Sequence, residues 1–276
     1  MNPLRLAGGV AALALVALNS AGDALYRKAL ERWRVQHEAE LKAEDGWLAV
    51  AGLFWLKEGR NTAGSDPSND IVLPRGPAKA GVFELRAGKT TFRAATGASV
   101  PVNEKDQVRF DGLVMTVIQR GDRFGVRLKD PASKQRREFT GLHWFPARES
   151  YRVTGKFVAY EKPKMIPITN VLGQTEPEAS PGYVTFTLQG RSLRLEPVTE
   201  DDRLFFIFRD LTAGWETYPA GRFLYASWPK NGEVELDFNK AENPPCAFTA
   251  YATCPLPPKQ NRLAIRIEAG ELNYGH

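Results

Sequence analysis

The sequence has little of what usually marks chemistry. Three histidines and two cysteines leave little material for a metal site built from His or Cys. There is no Gly-x-Ser-x-Gly, no His-Glu-x-x-His, no Walker loop and no dinucleotide fingerprint. These absences remove the common serine hydrolases, zincins, P-loop NTPases and Rossmann enzymes. Basic residues never cluster beyond the three cations of Lys134 to Arg137, so no nucleic-acid stripe is present. Repeats and low-complexity tracts are also missing. No metal, no cofactor and no nucleic acid is expected.

What is there describes an ordinary globular chain. With 276 residues, 43% hydrophobic and 25% charged, it can bury one large core or two modest ones. Leu6 to Leu18 is wholly apolar or Gly, follows one Arg, and precedes the small residues Ser20, Ala21, Gly22 and Ala24. Thirteen residues are too few to span a bilayer with ease but suit a signal sequence. Residues 1–23 are therefore expected to be a signal peptide or anchor, placing the protein in the periplasm or outside the cell. Membrane contact would come only through an uncleaved N-terminus.

Residues 24–46 read as an amphipathic helix, with Tyr26, Leu30, Trp33, His37 and Leu41 on one face. His37 on that stripe is expected at a core boundary rather than as a ligand. Residues 47–138 turn to short alternating strands with Gly and Pro between them, as in a β-sandwich. Residues 139–276 are again strand-rich. Tyr151 to Tyr160 and Met165 to Leu172 are expected as strands separated at Pro163. Glu176 to Pro181 is expected as a polar loop, and Tyr183 to Leu188 with Ser192 to Pro197 as a hairpin. Leu204 to Arg209 is apolar throughout up to its terminal Arg, like a strand covered on both faces. The fold class is mainly β: an N-terminal helix, a sandwich, then an antiparallel meander, curled or closed like a barrel.

Between Val234–Phe238 and the alternation of Leu263, Ile265 and Ile267 lies a long Pro-rich loop, residues 239–261. Its prolines prevent a ladder, while Cys246, Phe248, Tyr251 and Cys254 give it apolar groups to bury. The run NPPCAFTAYATCPLPPKQNRL, with Gly52 to Leu56, Asp210 to Thr212, Thr217-Tyr218 and Gly221 to Leu224, resembles the prokaryotic family called domain of unknown function 1684 over about residues 47–276. That resemblance implies a fold and boundaries but no activity. Within the sandwich, Leu53 to Leu56, Gly59, Gly64-Ser65 and Asn69 to Leu73 are similar to the opening of forkhead-associated domains. Ser65 stands where those domains carry Arg, and Ala78 to Gly81 stands where they carry Ser-x-x-His. Phosphothreonine recognition is therefore not expected.

Candidate site residues lie where strands of the C-terminal unit end: Tyr218, Arg222, Asp237, Asn239, Asn243, Asn261 and Arg262. They could hold a small or anionic ligand, with Arg222 and Arg262 as cations. Equally, Arg222, Arg262, Asp210 and Asp237 could be internal ion pairs that hold the loop. Cys246 and Cys254 admit a disulfide, a pair of buried thiols, or a nucleophile at Cys246 with His143 as base. Three readings stand open: an exported binding protein, a hydrolase-like enzyme using an acid or Cys246 at the same place, and an interaction module built on the sandwich. A perturbed carboxylate facing an open cavity would favour the enzyme, and fully paired charges would favour binding or scaffolding.

Overall fold

A computed structural model describes residues 7–275, with side chains from residue 22 onward. The helix α1 (Ala7–Lys42) runs on through the apolar N-terminal stretch, so the expected targeting segment lies almost wholly outside the described side chains. No helix among the described residues is long and apolar enough to cross a membrane. From Ala24 on, Leu30 and Leu41 are buried, and Tyr26, Trp33 and His37 are half-buried on the same face.

Nine strands form the sandwich: β1 (Val50–Trp55), β2 (Gly59–Gly64), β3 (Ile71–Val72), β4 (Gly81–Arg86), β5 (Lys89–Ala94), β6 (Ser99–Pro101), β7 (Gln107–Phe110), β8 (Leu113–Arg120) and β9 (Arg123–Lys129). They pair as β1-β9-β8-β7 and β3-β2-β4-β5-β6, antiparallel except for β2 with β3. Alternate residues from both sheets, among them Phe83, Phe92, Leu113, Met115 and Val126, meet in one core. Ser65 and Asn69 tie the intervening turn through main-chain carbonyls of Gly76, Asp66 and Ala78, the work of turn-formers.

Seven strands follow: β10 (Arg152–Thr169), β11 (Thr175–Leu188), β12 (Arg191–Leu195), β13 (Val198–Glu200), β14 (Arg203–Phe208), β15 (Arg222–Ala226) and β16 (Glu233–Asp237). They form two sheets, β12-β11-β10-β16 and β13-β14-β15. Among the described residues no barrel closes, because β16 crosses over to pair with β10 rather than with its chain neighbour β15. Gln189-Gly190 turns β11 into β12, and Asn231-Gly232 closes the isolated Lys230–Glu233 bridge before β16; all four residues have positive φ, as two-residue turns of this kind require. β14 is covered on both sides: Leu204, Phe206 and Phe208 face the core between the sheets, while Phe205 and Ile207 face a second cluster under the Pro-rich loop.

Two expectations are corrected. The polar loop at Glu176 to Pro181 is part of β11, and β10 continues through Pro163 as one long strand. The ladder survives because Pro163 and Pro181 both fall where the register shifts, between Ala159↔Gly182 and Lys164↔Ser180. Pro167 faces Pro177, and at a non-hydrogen-bonded pair neither missing donor costs a ladder bond. In the tail, Leu263, Ile265 and Ile267 alternate into the core as expected, but the segment is extended chain joined by single bridges and isolated bonds such as Leu263 N–H to the Arg209 carbonyl, 2.7 Å.

Candidate functional site

The sequence-predicted residues do not converge. Arg222 is 1% exposed; its guanidinium donates to Asp210 at 3.1 Å and to the Ile267 carbonyl at 3.0 Å, and also to the Ala269 carbonyl. It is therefore an internal ion pair that anchors the tail. Asn261 is likewise structural, accepting from the Glu196 N–H and donating to the Glu196 and Ile207 carbonyls at 2.8 to 3.0 Å. Asp237 and Asn239 join Tyr26 of α1 and the main chain of Arg148. Arg262 is exposed and its main chain bridges Arg209; among the described residues no ion pair joins it to Asp237, whose cation is Lys240. Tyr218 donates to the Cys246 carbonyl at 3.2 Å. Of the seven, only Asn243 faces the cleft described next.

That cleft, about 460 Å³, opens where all parts of the chain meet. His37 and Leu41 come from α1, Trp47 from the link to β1, and Arg120 from the end of β8. Glu178 comes from β11, Glu200 from β13, and Phe205, Phe223 and Tyr225 from β14 and β15. The Pro-rich loop supplies Glu242, Asn243, Phe248, Thr253 and Cys254. A neighbouring hollow of about 350 Å³, under Trp33 and Arg203, shares His37, Tyr225 and Glu242 with it.

The loop reaches this position by borrowing the edge of β15. Glu242 and Phe223 exchange both main-chain hydrogen bonds at 2.9 Å, which sets Glu242 beside the sheet. On its other side Glu271 N–H donates to the Ala241 carbonyl at 2.8 Å. Gly270, at φ +83°, allows that approach, since a Cβ there would stand 2.5 Å from the same carbonyl oxygen. Asn243 then fixes the Glu271 carboxylate with its N–H at 3.0 Å and its side-chain amide at 2.7 Å.

The electrostatics follow from that packing. His37 lies between Glu242 and Glu271, 3.5 Å from each, and its ring stacks on Trp33 and meets Trp144 edge-on. Burial opposes its charging, but the two carboxylates outweigh it and raise the imidazole above its ordinary range. Glu242 is pushed up to about 7, mainly by burial and further by Glu271, with His37 pulling it partly back. Glu200 is raised by burial despite the Tyr225 hydroxyl donating to it at 3.3 Å. Glu178 is exposed on β11, and partial desolvation at the cleft rim, with Glu176 beside it, raises it in direction. The cation at the wall is already engaged, Arg120 donating to Thr253 at 2.9 Å and lying 3.6 Å from Glu104. Among the described residues no group of three or more His, Cys, Asp or Glu is arranged to hold a metal ion. The arrangement can neutralise a cation, or move a proton near neutral pH between Glu242 and His37.

Cys246 and Cys254 stand together as free thiols, and each sulfur accepts the other residue's N–H, at 3.1 and 3.4 Å. His143 is exposed, and the hydrogen bonds of Cys246 among the described residues go to Cys254 and Tyr218. Sequence reasoning missed Glu178, Glu200, Glu242, Tyr225 and Arg120. The one visible signal was His37, a titratable group on an otherwise apolar helix face.

Residues 137–272, just under half of the chain, match the family described as "Protein of unknown function (DUF1684)". The match leaves out the sandwich, which the sequence motifs had placed in the family, and the forkhead-associated likeness of the sandwich finds no support in it. No curated protein matches. An uncharacterized protein of Haloarcula marismortui, solved by solution NMR, is similar at 31% identity over 53% of this chain and 85% of its own, with a TM-score of 0.44.

Proposed function

We propose that the cleft beneath α1 binds a small organic cation, an amine or guanidine carrying an apolar part. One observation carries this: Glu178, Glu200 and Glu242, all held above the ordinary carboxylate range, line a single cleft with Phe205, Phe223 and Tyr225. A carboxyl raised by burial and like charge gains from a bound cation, which relieves both. Aromatic faces add cation–π and apolar contact, and Tyr225 already takes the Arg203 guanidinium at 4.3 Å. The anionic ligand expected from Arg222 and Arg262 has no counterpart here, because neither lines the cleft.

Thermal shift assays with phenethylamine and agmatine, against phenylacetate and phenethyl alcohol, test the reading. The cations should raise Tm at pH 8 by mass action on the folded state. The gain should shrink below pH 7 and vanish in Glu200→Gln/Glu242→Gln. Stabilisation by phenylacetate alone, or gains unchanged in that variant, would reject it.

A second reading is hydrolase-like acid–base catalysis, favoured by Glu242 near 7 at 3.5 Å from His37. We also propose that residues 1–23 act as a targeting segment, on the pattern of one Arg, an apolar run and small residues. Terminal sequencing from the native cell decides this. A chain recovered intact from Met1 in the soluble cytoplasm would refute it.

A further inference from the structure

We propose that Cys246 and Cys254 form a reactive dithiol, with Arg127 as the buried cation that favours the Cys246 thiolate, and that low-molecular-weight disulfides oxidise the pair. Cys254 belongs to the cleft lining, but the thiol chemistry does not depend on the ligand reading.

The geometry comes from the loop. Ala247 and Phe248 donate to the Pro244 and Pro245 carbonyls at 2.9 and 3.0 Å, turning the chain sharply after Cys246. Val171 N–H holds the Cys254 carbonyl at 3.0 Å, and Tyr218 holds that of Cys246. Both main chains are thus pinned, with the sulfurs turned toward one another by the reciprocal N–H contacts. Cys254 is buried and lines the cleft, while Cys246 is half-buried beside it.

The second observation is Arg127 on β9. It is 8% exposed, and its Nε and Nη2 have no hydrogen-bond partner among the described residues. Its guanidinium lies over Trp47 at 5.0 Å, and Trp47 packs in the same cluster as both cysteines. A buried guanidinium without a carboxylate needs a counter-charge, and its field favours ionisation of both thiols. The other charged groups nearby do not meet that need. Arg120 has like charge, Glu104 is engaged with Arg120 at 3.6 Å, and Tyr218 stays protonated because burial and both thiols raise it. The pair separates in acidity: the Cys254 S–H and N–H lower the Cys246 thiol, while Cys246 and burial push the Cys254 thiol up.

The step balances as thiol–disulfide exchange. The Cys246 thiolate attacks a disulfide RSSR, forming Cys246–S–S–R and expelling RS⁻, which takes a proton from solvent. Cys254 then loses its proton to solvent and attacks the Cys246 sulfur, closing the intramolecular bond and expelling the second RS⁻. Two cysteine thiols are oxidised and one RSSR is reduced to two RSH.

The test uses the reduced full chain with oxidised glutathione, mass spectrometry, and iodoacetamide alkylation across pH. Wild type should close one Cys246–Cys254 disulfide, and Cys254→Ser should stop at the glutathione mixed disulfide. Arg127→Gln should move the alkylation midpoint of Cys246 up by about one pH unit, and Arg127→Lys should restore most of it. Cys254→Ser is near-isosteric and decides the case even if Arg127→Gln fails to fold. No intramolecular disulfide in wild type, no mixed disulfide in Cys254→Ser, or equal midpoints in folded wild type and Arg127→Gln would overturn the proposal.

Discussion

Replacing Glu242 with Gln should change the sign of a familiar result, making the protein more stable at alkaline pH by removing a charge. The Glu242 side chain is 18% exposed, and its carboxyl is raised from 4.5 to about 7. At about 1.4 kcal/mol per unit, ionising it in the folded state costs about 3 kcal/mol more than in the unfolded chain. Between those two values the folded state keeps a proton that the unfolded state has released, so stability falls as pH rises through the window. His37, also raised, acts in the same direction. Its stabilisation is complete below its ordinary value of 6.5 and is lost as pH passes its higher folded value. Gln keeps the shape of the side chain and cannot titrate. Urea unfolding at pH 5 should give similar free energies for wild type and Glu242→Gln. At pH 8.5 the variant should lead by up to about 3 kcal/mol. Parallel curves for the two proteins from pH 5 to 8.5 would refute the reasoning.

Two further substitutions address the scaffold. Arg222→Met should cost about 3–5 kcal/mol, because Asp210 stays buried without its cation; Asp210→Asn added to it should recover part of that loss in the same unfolding assay. Asn261→Ala should cost about 3 kcal/mol by stranding the main-chain groups of Glu196 and Ile207, seen as a lower urea midpoint with an unchanged slope.

The parts of the fold that were legible in the sequence are those in which local chemistry decides. The α1 stripe, the Gln189-Gly190 turn and the doubly covered run Leu204 to Phe208 each carry their own periodicity or turn residues. Proline misled where position mattered more than type: Pro163 and Pro181 share one register shift, a pairing only the three-dimensional partner reveals. The crossover of β16 to β10 likewise depends on partners far along the chain. Arg222 was correctly drawn to the end of a strand, whereas Asn261 closes a short 3-10 turn before the extended tail, and the type of neither can tell a ligand contact from a tail anchor. The cleft was hidden for a related reason. His37, Glu178, Glu200 and Glu242 come from four separate segments, and each alone reads as a boundary histidine or a solvated acid.

We propose that these carboxyls take up a cation, and proton release on binding is the direct readout of it. Phenethylamine should be titrated calorimetrically at pH 6.5 in buffers of different ionisation heat, and again at pH 8.5. The bound cation should drive a proton from Glu242 and its neighbours at pH 6.5, so the apparent heat should vary with buffer there and hardly at all at pH 8.5. No binding, or binding whose heat is independent of buffer at pH 6.5, would contradict the claim.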